Sequence, residues 1–327
     1  MDEKLIVSHS PHISSNDTVA KIMLDVIIAL MPAFAAGILI FGFRALVVTL
    51  VCIISCVLSE YIWQKILKKP DTTYDLSAIV TGMLLAFNLP ASIPLWMAVI
   101  GSVFAIIVVK QFFGGLGHNF MNPALAGRAF LLAAWALPMT TWYAPDTILP
   151  VFSAPDAISA ATPLAAYANG AADFNYFTLF IGNTGGCIGE TSALAILIGA
   201  IYLVAKKVIR IRVPLIYIAT VALGMWLFGG SEGIATGDPL YAILSGGLML
   251  GACFMATDYT TTPTTPCGQI IFALGCGIIT VLIRVWGGYP EGVSYSILLM
   301  NIATPLIDKV AAPKRFGYVK KKKEAKA

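Results

Sequence analysis

Charge is what this sequence has least of. Only 12% of its 327 residues are Asp, Glu, Lys or Arg, while 58% are apolar, and the mean hydropathy is +0.84. A soluble domain carries more surface charge than that, so a soluble catalytic domain is excluded and no nucleic-acid partner is expected. Clustered metal ligands are also missing. Cys52, Cys56, Cys253 and Cys276 lie in apolar segments, Cys187 and Cys267 in loops, and His9, His12 and His118 share no ligand spacing. No structural zinc or iron–sulfur site is expected from them. The first twenty residues lack an apolar core, so no cleavable signal peptide is expected and the first span would act as its own signal.

What the chain does contain is a series of apolar segments, each near the roughly 20 residues that cross a hydrocarbon core. They fall at 22–43, 45–64, 76–89, 94–113 and 123–137, then at 190–205, 213–228, 239–255, 268–285 and 293–308. The segments at 76–89 and 123–137 are short and are expected to be broken or re-entrant. Basic residues orient the stack. Lys65, Lys68, Lys69, Lys110, Lys206, Lys207, Arg210, Arg212, Lys309, Lys314, Arg315 and the run 320–323 fall on one side if the N-terminus is cytoplasmic. The stretch 138–189 has no Lys or Arg and carries Asp146, Asp156 and Asp173, as an outer loop should. The expectation is an all-α polytopic protein of the bacterial inner membrane, with about ten spans and both termini inside.

Two halves are discernible. Met83-Leu84-Leu85-Ala86-Phe87 leads to Pro94, a span, Gly114-Gly115 and Asn122, while Met249-Leu250-Gly251-Ala252-Cys253 leads to Pro266, a span, Gly287-Gly288 and Asn301. Each half holds an odd number of spans, so the second enters from the opposite side, giving two inverted five-helix repeats. The expected organisation is a cytoplasmic segment 1–21, a first membrane repeat 22–137, an outer loop 138–189, a second repeat 190–310 and a basic cytoplasmic tail 311–327. The tail is either a solvated end or a lipid-binding one.

Three polar segments do more than connect spans. In 110–124, glycines allow close backbone approach and Asn119 and Asn122 offer donors and acceptors, which suit a neutral heterocycle such as a flavin ring, or simply cap a turn. In 256–266, prolines exclude a helix, and Asp258 either caps a span or lines a cavity shared with Asn119 and Asn122. In 182–193, glycines end where a helix should begin. Thr191 is expected in its first turn, where free N–H groups would seat a phosphate or Thr and Ser would cap the end. Asp25, Glu60, Lys110, Arg128 and Asp308 are embedded charges that mark either an ion path or snorkelling ends.

Together these segments resemble the NqrB/RnfD family of membrane flavoproteins, which serve in the Rnf ferredoxin:NAD oxidoreductase, an Na⁺ or H⁺ pump, and in the Na⁺-pumping NADH:quinone oxidoreductase. The resemblance is carried by Ser10-Pro11-His12, Ser77-Ala78-Ile79-Val80-Thr81-Gly82, the glycine loop 114–124, Gly189-Glu190-Thr191-Ser192 and Phe254-Met255-Ala256-Thr257-Asp258. It implies FMN joined through its phosphate to Thr191, within the motif of Gly189, Glu190 and Ser192. Glu190 departs from the Ser-Gly-Ala-Thr common in relatives but leaves the hydroxyl in place. It also implies a noncovalent riboflavin, for which Asn119, Asn122 and Asp258 are the candidates. The implied partners are the other proteins of the Rnf complex, including a second covalent-FMN subunit and membrane iron–sulfur subunits, with a flavin transferase for maturation and lipid around the spans. The chain would then be one component of a redox-driven translocase, without independent activity. The competing readings are the quinone-reducing relative, a non-redox solute transporter or channel, and a structural membrane anchor.

Overall fold

The computed structural model describes residues 17–143, 162–168, 175–230, 233–288 and 291–312. The Ser10-Pro11-His12 match, the acidic residues of the outer loop and the basic tail lie outside them.

Helix α1 (Val19–Phe41) starts at Thr18, whose hydroxyl accepts from Lys21 N at 3.3 Å. It ends at Gly42, whose N–H bonds Ile38 O at 2.8 Å and whose φ of +70° few residues other than glycine adopt. The chain turns there directly into α2 (Phe43–Ile66). These two helices and α13 (Pro266–Trp286) are long and apolar enough to cross a membrane. Shorter apolar helices are α3 (Ser77–Phe87), α5 (Pro123–Ala134), α9 (Ala193–Ala205) and α10 (Arg212–Phe228). Helix α4 (Leu95–Val103) runs on into a π-helical stretch at Phe104–Gln111. Short helices α6 (Ala136–Thr140), α7 (Pro163–Ala168) and α8 (Tyr176–Ile181) lie between the halves, and α14 (Val293–Val310) closes the described chain. The protein is an all-helical, multi-pass membrane protein. Its outward faces carry Leu39, Ile54, Ile201, Leu223 and Leu306, apolar side chains left bare for lipid.

The expected break at 76–89 is absent within α3. The other expected break, in 123–137, is present at Trp135 between α5 and α6, and a further discontinuity lies in 239–255, where α11 (Pro239–Leu244) stops and α12 (Leu248–Leu250) leads into a π-helical turn at Gly251–Met255. Ser245-Gly246-Gly247 separates them, with Gly246 at φ +72°. Both π-helical stretches precede the polar loops that carry the candidate residues, a placement frequent at functional sites.

Small residues bring the helices together. At Gly199 of α9 an added Cβ would stand 2.0 Å from Ala29 O of α1, and at Gly82 of α3 it would stand 2.7 Å from Ile53 Cα of α2. Backbone cannot retreat as a flexible side chain can, so Gly199→Ala is expected to pry α1 from α9 at a cost of about 1–3 kcal/mol. Thermal unfolding in detergent checks it; an unchanged midpoint would show that the α1–α9 contact is looser than this geometry.

Polar groups hold the bend between α3 and α4. Arg44, 1% exposed, donates from Nε to Ala91 O at 3.2 Å and from Nη2 to Ile93 O at 2.7 Å. The carbonyls of a non-helical turn within the bundle thereby gain charged donors.

Candidate functional site

The loop before α9 is fixed at both ends. Gly182 has φ +101°, and a Cβ there would lie 2.6 Å from Ser192 N, so the loop closes on itself at a glycine neck. Cys187 forms a single antiparallel bridge with Pro90, and Ile188 N and Gly189 N donate to Leu89 O and Phe87 O, each at 3.1 Å. Gly189 packs on the Phe87 ring so closely that a Cβ would fall 2.2 Å from Phe87 Cγ. Ser192 caps α9, its hydroxyl accepting from Ala195 N at 3.4 Å. Thr191 therefore precedes the cap rather than occupying the first turn. One residue decides this, because Ser192 can cap only if it stays outside the helix.

Thr191 lines a cavity of about 420 Å³ with Gly185, Gly186, Arg128, Glu190, Ser245 and Glu291. Its hydroxyl has no hydrogen-bond partner among the described residues. Arg128, in α5, grips Glu291 through both terminal nitrogens, the Nη1–Oε1 contact being 2.7 Å. The same Nη1 reaches Ser294 Oγ at 2.8 Å and Asn88 Oδ1 at 3.3 Å. Among the described residues its Nε is buried without a partner, as are Ser245 Oγ, Glu190 Oε2 and Arg284 Nε. Glu190 turns its other oxygen to Cys187 N at 3.4 Å. An added Cβ on Gly247 would meet Glu291 Oε1 at 2.7 Å and Glu190 Oε2 at 2.9 Å, so the two carboxylates flank that glycine. Unsatisfied buried donors and acceptors are costly in isolation, and a polar ligand relieves them.

A second, smaller cavity of about 90 Å³ brings Asn119, Asn122 and Asp258 together, as the shared-site reading expects. Asn122 caps α5, its Oδ1 accepting from Ala124 N at 3.0 Å and Leu125 N at 3.4 Å. Asn119 donates to Met121 O at 3.2 Å and Thr260 Oγ1 at 3.0 Å, while its Oδ1 is buried without a partner. Asp258 accepts from the Thr260 and Thr261 hydroxyls at 3.0 and 3.2 Å. Burial pushes its carboxyl above the usual carboxylate range, against the pull of those hydroxyls.

Asn88 ties Arg128 to the end of α3 and to the second π-helical turn. Its amide donates to Leu84 O at 2.6 Å and Met255 Sδ at 3.6 Å, and its oxygen receives Arg128. Arg128, Glu291, Ser245 and Arg284 are the site residues that motif reading leaves unassigned. Two arginines in apolar segments are the signal that points to them. Of the embedded charges, Glu60, Lys110 and Arg128 are buried and paired rather than snorkelling, and Asp25 receives the Tyr202 hydroxyl at 2.8 Å.

Residues 6–317 match the NQR2, RnfD, RnfE family. The chain is 54% identical to the D component of the Na(+)-translocating ferredoxin:NAD(+) oxidoreductase complex of Acetobacterium woodii, over 99% of this chain and 98% of the relative. It is 47% identical to the D component of the proton-translocating ferredoxin:NAD(+) oxidoreductase complex of Clostridium ljungdahlii, over 95% and 96%. To the D component of the ion-translocating oxidoreductase complex of Escherichia coli O127:H6 it is 36% identical, over 96% and 99%.

Proposed function

The chain belongs to the NQR2, RnfD, RnfE family, and we propose from that membership and the two polar cavities that it is the RnfD component of an ion-translocating ferredoxin:NAD⁺ oxidoreductase complex. It carries FMN on Thr191 and riboflavin in the smaller cavity, and works with the other Rnf proteins: the second covalent-FMN subunit and the membrane iron–sulfur subunits. A flavin transferase loads Thr191 from the outer side. The flavins supply one- and two-electron carriers, and holding one near each face lets electrons cross the bilayer.

One observation carries the reading: Thr191 lines a cavity of about 420 Å³, within the roughly 300–1,000 Å³ usual for ligand sites. The donor set fits FMN. Arg128 Nε and Ser245 Oγ are buried donors without partners among the described residues, suited to phosphate and ring oxygens, and Glu190 Oε2 is an acceptor for a ribityl hydroxyl or imide N–H. For the smaller cavity the chemistry fits, since Asn119 Oδ1 awaits a donor. Its 90 Å³ does not hold a tricyclic ring, so riboflavin entry requires the 257–260 loop to withdraw. Asn122→Ala should cost about 1 kcal/mol through the lost cap. Asn119→Ala should leave the unfolding midpoint nearly unchanged while lowering extractable riboflavin, and a normal riboflavin content in Asn119→Ala would remove that residue from the site.

Ten spans, inverted repeats and cytoplasmic termini belong to the same proposal. In their support, α2 packs on α3 and α4 as α10 packs on α11 and α13, while α1 meets α9 and α5 meets α14. The test of the assignment is deletion and complementation in the native host. Membranes lacking the chain should lose ferredoxin-dependent NAD⁺ reduction and its coupled ion uptake, and the tagged chain should co-purify with iron–sulfur subunits. Full activity in the deletion strain would end the reading.

A further inference from the structure

We propose that Asp75, Ser77 and Lys110, with Glu60 as the counter-ion of Lys110, form a proton relay between a polar cleft at the C-terminal end of α2 and the Asn119–Asp258 cavity. The links are continuous. Lys110 Nζ donates to both Glu60 carboxylate oxygens at 2.9 Å and to Ser77 Oγ at 2.6 Å. The Ser77 hydroxyl donates in turn to Asp75 Oδ1. Glu60 also receives Gln111 Nε2 at 2.8 Å and Gln64 Nε2 at 3.4 Å, and Gln64 reaches on to Thr72 Oγ1 at 2.6 Å.

The two ends of this chain open into different spaces. Ser77 and Lys110 line the inner cavity beside Asn119 and Asp258. Asp75, Gln64, Thr72 and Gln111 line the cleft, a recess of about 620 Å³ that Lys69 and Asp71 also border. Between them Glu60 is 0% exposed and Lys110 is 2% exposed. Besides Asp75, the titratable group facing the pair is the Cys56 thiol, one turn before Glu60 in α2.

Stability does not account for such a pair. Desolvating two charges costs several kcal/mol each, and a well-packed apolar replacement is often neutral or stabilising. Ionisable groups inside a membrane protein are instead a mark of function. Here the pair is the single charged bridge between a wet recess and an interior space among the described residues.

The transfers balance atom by atom. The cycle starts when a hydronium ion in the cleft gives its proton to the Asp75 carboxylate. A proton leaves Lys110 Nζ for a basic atom in the cavity, breaking one N–H bond and forming one on the acceptor. The Lys110 amine then takes the Ser77 hydroxyl proton as Ser77 Oγ takes the one from Asp75, which is left ionised and again accepts from Ser77. Glu60 is the counter-ion of Lys110, and no transfer passes through it. No electron passes along the relay. The acceptor class, a ring nitrogen of a reduced heterocycle, rests on the inner-cavity reading; the connectivity does not.

The experiment uses the intact complex in lipid bilayers with ¹⁵N-labelled lysine, the Lys110 signal being assigned by its loss in the Glu60→Leu/Lys110→Met double variant. After transfer to D₂O, Lys110 should exchange its ammonium protons rapidly. Ser77→Ala and Asp75→Asn should slow the exchange by at least about tenfold, with unchanged unfolding midpoints, and Ser77→Thr should restore it. Equal rates in wild type, Ser77→Ala and Asp75→Asn would overturn the relay. In parallel, indicator-dye proton uptake on reduction by ferredoxin should slow in the same variants when riboflavin is extractable. Unslowed uptake in riboflavin-containing variants would overturn the assignment of the acceptor. Wild-type complex without riboflavin would sink the cofactor reading, and the exchange data would still judge the relay.

Discussion

Thr191→Val is expected to give a chain that folds and assembles but shows no flavin fluorescence on a denaturing gel, whereas the wild-type band should glow. The substitution replaces one hydroxyl by a methyl of nearly the same shape. The side chain is buried and its hydroxyl bonds to nothing among the described residues, so the fold loses little. What would be lost, on the proposed reading, is the hydroxyl that carries the phosphoester. Ser192 cannot substitute, because its hydroxyl is turned to Ala195 N as the α9 cap. Ser192→Ala should therefore keep the fluorescent band while losing about 1 kcal/mol of stability. Thr184 lines the same cavity and is the stringent control. A band that survives Thr191→Val and disappears in Thr184→Val would move the attachment point. A dark wild-type band from cells expressing the flavin transferase would count against covalent flavin altogether.

The membrane character and the three long apolar helices were legible because scarcity of charge is a one-dimensional signal. The starts of α5 and α13 were nearly so, since Asn122-Pro123 and Thr265-Pro266 place a capping side chain before a proline at the first helical position. The break in 239–255 was not. Ser245-Gly246-Gly247 reads like any small-residue stretch of a packed span, and only the left-handed Gly246 makes it a corner. Thr191 was singled out by its motif, but its position before the cap depended on which of two adjacent hydroxyls took the helix end. The charges around it were illegible for a different reason. Arg128 and Glu291 are 163 residues apart, and Lys110 and Glu60 are 50 apart. Local patterning shows that such charges sit in apolar segments; only the fold shows that each has a partner.

The Glu60–Lys110 pair supplies the largest expected effect on stability. Lys110→Met removes the ammonium and leaves a fully buried carboxylate with only the amides of Gln111 and Gln64 for company. The loss should be about 3–5 kcal/mol, as for other buried pairs broken on one side. Glu60→Leu should cost a similar amount by stranding Lys110 on Ser77 alone. The Glu60→Leu/Lys110→Met double variant buries no charge at this position and should recover most of either loss, so the two effects are strongly non-additive. Unfolding of the purified chain in detergent, wild type and all three variants, measures that coupling. Additive losses would mean that water reaches the pair and screens it. A recovered double variant that nevertheless fails to take up protons on reduction would separate the two roles. The charges would then be dispensable for holding α2 against the π-helical turn, and required for what passes between the cleft and the cavity.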